Sequence, residues 1–203
     1  MINKKKDRLH SIALKLAIFT VGYNIVEFIV SIIAGLIAGS TALLGFGSDS
    51  LVESLSGIIM IWRFRKYKIL DKNEEDKIEK KAILLVGITF FIFGIYILFE
   101  SLRKLIIQEK PEPSVFGIII AIASIIVMPI LFHLKFKIGK SIGSKSLIAD
   151  SKQTLVCLFM SVSLLIGLSL NHFFVLWQAD PIVGLIIVVF LIKEGYELLF
   201  DKD

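Results

Sequence analysis

Ser48-Asp49-Ser50-Leu51-Val52-Glu53 sets two carboxylates four residues apart inside a long apolar run. Residues four apart lie on one face of a helix, so both acids point the same way. No Lys or Arg lies within the ten residues before Glu53, and Arg63 is about three turns further on. A charge at the centre of a membrane helix costs roughly 2.5–3.5 kcal/mol on insertion scales. Acids are kept there by a cavity, a bound cation, protonation or a basic partner. The leading reading of Asp49 and Glu53 is a cation or proton site inside a membrane bundle. The bland alternative is a pair of acids satisfied by lysines or backbone groups.

Outward from this stretch the chain is apolar throughout. Of its 203 residues, 56% are hydrophobic, and the mean hydropathy is +0.82. A bilayer core takes about 20 apolar residues per helix. Six spans are predicted, at 11–38, 41–63, 82–106, 114–135, 146–170 and 175–199. The expected fold is an all-α integral membrane bundle forming a single transmembrane domain over 1–203, with no soluble C-terminal domain. The first stretch is too long for a signal-peptide core and is read as a retained helix. One cysteine, Cys157, excludes an intrachain disulfide.

The charge reports topology. Lys4, Lys5, Lys6 and Arg8 precede the first span. Arg63, Arg65, Lys66, Lys68, Lys72, Lys77, Lys80 and Lys81 are placed between the second and third. Lys135, Lys137, Lys140 and Lys145 are placed between the fourth and fifth. The alternate connections are poorer in lysine, so both termini are expected in the cytoplasm, at the cell (inner) membrane. The net charge of +5 is thereby explained without nucleic acid. The mixed-sign segment from Arg65 to Lys81 reads as a solvated loop or helix extension. Pro129 falls inside the fourth span and is expected to kink it. Gly35 and Gly39, with Gly45, Gly47, Ser48 and Gly57, read as a small-residue face for packing helices one and two.

The fifth span carries the second candidate wall. Asp150, Thr154 and Cys157 share a face at i, i+4 and i+7, with Gln153 beside them. Each has an ordinary reading. Asp150 has Lys145 and Lys152 nearby for a helix-end salt bridge. Thr154 and Gln153 can hydrogen-bond between helices, and Cys157 can be a small buried residue. Glu27, with Asn24 one turn earlier, is either a protonated acid bonded to a neighbouring helix or a proton carrier on an access path. Glu100 is expected to pair with Arg103 or Lys104. His10, His133 and His172 lie near span ends and read as structural. No HExxH, GxSxG, P-loop or CxxC is present, which counts against an enzyme.

The segments Ala38-Gly39-Ser40-Thr41-Ala42-Leu43-Leu44, Asp49-Ser50-Leu51-Val52-Glu53, Phe99-Glu100-Ser101-Leu102-Arg103-Lys104-Leu105, Ala149-Asp150 and Ala179-Asp180-Pro181-Ile182-Val183-Gly184 follow one another across the six spans. In that order and spacing the chain resembles the cation diffusion facilitator (cation efflux) family, over about residues 12–199. The resemblance implies a homodimeric exporter of divalent cations, usually zinc, exchanging metal for protons and using no cofactor. It implies a transport site with an acid or histidine pair on helix two and another on helix five. Asp49 and Glu53 match the first pair, and Asp150 the first position of the second. Thr154 stands where most relatives have Asp. Most relatives carry a cytoplasmic domain after helix six, so this chain resembles the short branch.

The expected function is therefore divalent metal export in the lipid bilayer, with Asp49, Glu53 and Asp150 on the ion and Thr154, Gln153 or Cys157 completing the shell. Zinc leads, and manganese, iron(II), cobalt and cadmium remain compatible. One alternative is a membrane-embedded interaction subunit whose acids pair with a partner's bases. A metal-dependent membrane enzyme is the other; it would need an open coordination position and a bound water, and the sequence shows no such arrangement.

Overall fold

The computed structural model describes residues 2–66 and 72–200. These form six helices: α1 (Ile2–Ala38), α2 (Thr41–Lys66), α3 (Lys72–Ile107), α4 (Val115–Ile142), α5 (Lys145–Phe174) and α6 (Ala179–Phe200). Among the described residues, four stretches are long and apolar enough to cross a membrane: Arg8–Ala38, Thr41–Arg65, Val115–Ile142 and Ser146–Phe174. They belong to α1, α2, α4 and α5. The remaining two of the six expected spans correspond to α3 and α6.

The helices run on beyond the expected spans, and the 72–81 part of the mixed-sign segment is the helix extension that the sequence allowed. Lys4 to Arg8 lie within α1, and Lys72, Lys77, Lys80 and Lys81 lie within α3. Lys68 and Asp71 lie outside the described residues. The largest correction concerns Lys135, Lys137 and Lys140, which belong to α4 and not to a loop. What stops α4 is local chemistry. Gly143 takes the left-handed conformation, φ 69°, and Ser144 caps α5 by accepting from the Leu147 amide. A two-residue turn suffices because glycine carries no Cβ penalty there. Pro129 lies inside α4, which continues past it. At the other end of α5, Val175 serves as its C-cap, so α6 begins at Ala179 rather than at 175.

α1 packs chiefly on α2, α4 on α5 and α3 on α6, while α2 also touches α3, α5 and α6. The expected small-residue face is realised. A Cβ at Gly57 would come within 2.5 Å of Val21, and one at Gly47 within 3.1 Å of Ile32 and Ser31. Close approach of backbones is what such faces supply when lipid gives helices no hydrophobic drive to associate.

One corner joins several of the segments that carried the family resemblance. The turn between α1 and α2 is Gly39-Ser40. Lys104, buried on α3, donates to the Gly39 carbonyl. Asp180, at the start of α6, accepts from the Ser40 hydroxyl, from the Thr41 amide at 2.8 Å and from the Thr41 hydroxyl at 3.0 Å. A cation thus sits at the C-terminal end of α1 and an anion at the N-terminal end of α2, as the two helix dipoles favour. Gly184 lets α6 close onto this corner, since a Cβ there would lie 2.5 Å from Ser101 Oγ and 3.1 Å from Thr41 Oγ1. Nearby, Arg103 pairs with Glu100 at 2.5 Å, as the sequence suggested.

Candidate functional site

α2 is apolar and Gly- and Ser-rich, so it is drawn into the bundle and carries its acids with it. Asp49 and Glu53 are both buried. α5 lies against this part of α2 and turns Asp150, Thr154 and Cys157 toward it, all buried. Ligand atoms of Asp49, Glu53 and Cys157 all lie within 4.8 Å of one another. That is close enough for one ion to touch all three. Among the described residues this is the one group of acid, thiol or imidazole side chains so placed.

Asp150 and Thr154 are drawn to a different neighbour. Lys135 of α4 is fully buried, and its ammonium lies 2.9 Å from Asp150 Oδ2 and 3.6 Å from Glu53 Oε1. It also donates to Thr154 Oγ1 at 2.9 Å. Thr154 in turn donates to Glu53 Oε1 at 2.7 Å. Lysine, threonine and the two acids therefore form one connected group spanning α2, α4 and α5. Each acid keeps a second oxygen that is buried and without a hydrogen-bond partner, Glu53 Oε2 and Asp150 Oδ1. Gln153 Nε2 is buried and unpartnered as well. Buried polar atoms are ordinarily satisfied by protein or by ordered water, so these atoms call for a further partner, water or an ion.

The sequence reading anticipated Asp49, Glu53, Asp150, Thr154, Gln153 and Cys157 but not Lys135. The ordinary alternative for Asp150 is a salt bridge to Lys145 or Lys152 on its own helix. The observed partner comes from α4 instead. The signal that could have found it is the length of α4: a helix running on to Ile142 carries Lys135 two turns inside its end.

Glu27 stands apart from this group. It is fully buried and accepts from Ser50 Oγ at 2.7 Å and from Ser124 Oγ. The Tyr23 hydroxyl lies 2.9 Å from Ser124 Oγ. Asn24, one turn earlier, is buried with both side-chain polar atoms unpartnered. Ser50 follows Asp49 directly, so this network borders the acid site without joining it. His10 packs edge-on to Phe64 and His172 edge-on to Phe173.

Comparison with known proteins agrees with this architecture. The chain is 29% identical to Transmembrane protein 163 of Xenopus laevis over 80% of its length. It is 25% identical to the magnetosome protein MamB of Magnetospira sp. over 83%. It is 22% identical to the cation-efflux pump FieF of Shewanella oneidensis, again over 83%. The chain spans 57%, 59% and 58% of these three relatives. A family model for the cation efflux transmembrane domain matches residues 17–202, from within α1 to beyond α6, and so takes in the acids of α2 and α5, the buried lysine and the Asp180 corner. The chain is an integral membrane protein of the cation efflux family.

Proposed function

We propose that this protein moves a divalent metal ion, zinc or one of similar chemistry, out of the cytoplasm in exchange for protons. The observation that carries the proposal is the convergence of Asp49, Glu53 and Cys157 in the bundle interior, with ligand atoms within 4.8 Å. Two carboxylates and a thiol suit zinc, cobalt and cadmium better than a purely oxygen-loving ion such as manganese. Asp150 borders the site through its pair with Lys135, and Thr154 positions Glu53 rather than binding the ion. Protons compete for the same ligands, because a carboxylate or thiol must be deprotonated to coordinate. That competition is the coupling: metal leaves where protons arrive. Glu27 and Asn24 border the site and supply a proton path toward it. Rocking of helix groups about the fixed site gives alternating access, as is common in secondary transporters.

The lysine-rich helix ends support cytoplasmic termini, at the cell membrane. A homodimer is proposed from family membership alone. The reading as an interaction subunit, whose acids await a partner's bases, has less support, because the chain's own Lys135 already supplies the base. Purified protein in proteoliposomes with an imposed pH gradient tests the proposal. Zinc, cobalt and cadmium should accumulate on the acidic side, with manganese moved more slowly. Absence of flux for every divalent ion would sink the transporter reading.

A further inference from the structure

A fully buried lysine beside two acids needs a reason. Lys135 is not a snorkelling helix-end residue, since its ammonium is turned into the bundle. It reaches Asp150 Oδ2 at 2.9 Å, Thr154 Oγ1 at 2.9 Å and Glu53 Oε1 at 3.6 Å. The other oxygens, Glu53 Oε2 and Asp150 Oδ1, stay unpartnered. One side of the cluster is thus filled by a tethered cation, while Glu53 also belongs to the group it forms with Asp49 and Cys157, with ligand atoms within 4.8 Å.

We infer that Lys135 is a resident counter-cation of the ion site, and that its fixed positive charge sets how tightly a divalent ion is held and how readily it leaves. The inference rests on the proposal that Asp49 and Glu53 bind the ion. Asp49, Glu53, Asp150 and a coordinating Cys157 thiolate carry four negative charges, and the one ammonium cuts the net to three around a divalent ion. Charge balance matters in the bundle interior because Coulomb interactions there are far stronger than in water. Without the lysine the site would carry a surplus negative charge, hold the ion more tightly and release it more slowly. Without Asp150 the lysine would have only Glu53 as an acidic partner, and the ion would meet one net negative charge fewer. Asp150 then acts chiefly by holding Lys135 away from Glu53.

This yields an order of affinities that a simple ligand role for Asp150 does not. Zn²⁺ binding should be tightest in Lys135→Gln and weakest in Asp150→Asn. Wild type and the double variant Lys135→Gln/Asp150→Asn should lie between them, close to each other. Each step should amount to at least about tenfold in Kd. The test is titration of Zn²⁺ alone into purified full-length protein, by equilibrium dialysis, with each variant checked for folding by size-exclusion chromatography. Recovery of binding when Lys135→Gln is added to Asp150→Asn supports the inference. A double variant as weak as Asp150→Asn alone would overturn it and make Asp150 an irreplaceable ligand. Removing one partner of a buried pair is more damaging than removing both. If Lys135→Gln does not fold, the comparison of Asp150→Asn with the double variant still decides. Asp49→Asn is measured alongside. Lost binding there leaves the ion site standing whatever Lys135 does, whereas wild-type binding would remove the site and the inference together.

Discussion

Glu53 has the most demands placed on it. One oxygen accepts from Thr154 and faces Lys135, the other has no hydrogen-bond partner, and the carboxylate lies in one group with Asp49 and Cys157. Glu53→Gln and Asp49→Asn keep shape while removing a charge the ion needs. Each should weaken Zn²⁺ binding by about 100-fold or more. Thr154→Val should be milder, since it removes only the link that orients Glu53. Cys157→Ser separates soft from hard ions: it should lower Cd²⁺ affinity by about tenfold relative to Mn²⁺. An unchanged Cd²⁺ to Mn²⁺ ratio would remove the thiol from the shell. The acids could be read from sequence because i, i+4 spacing fixes their common face before any tertiary contact forms. Lys135 could not, because it opens a run with Lys137, Lys140 and Lys145 that has the pattern of a cytoplasmic loop. Only the packing of α4 on α5 shows that the first of the four points inward.

At the scale of elements, the α1–α2 turn is held from both sides, by Lys104 on the Gly39 carbonyl and by Asp180 on Ser40 and Thr41. Asp180→Ala strands the Thr41 amide and two hydroxyls inside the bundle. A buried donor left without its partner costs about 1–3 kcal/mol. Thermal unfolding of the purified variant should therefore begin well below that of wild type, while any Zn²⁺ bound by folded protein should be held with unchanged affinity. A variant as stable as wild type would show that the corner is incidental. Gly184→Val should be damaging for a steric reason, since Ser101 Oγ and Thr41 Oγ1 occupy the space a side chain needs. Hydropathy located the helices well. The helices run on past the expected spans wherever lysines continue them, because charge marks a helix's environment and not where it stops. The stops are set by Gly39, Gly143 and the serine caps.

For the whole molecule, acids gathered from α2 and α5, beside the α4 lysine, make the proposed ion binding a property of the assembled bundle. Metal binding should release protons and weaken as the medium is acidified, because the ion and protons compete for the same oxygens and thiol. Calorimetry in buffers of different ionisation enthalpy checks this, and binding without proton release would contradict the exchange. The most direct test of the central claim is Zn²⁺ movement into proteoliposomes under an imposed pH gradient, wild type against Glu53→Gln. Wild type should show gradient-driven accumulation that collapses on dissipation of the gradient, and Glu53→Gln only background flux despite correct folding and insertion. Equal Zn²⁺ flux in the two proteins would contradict it.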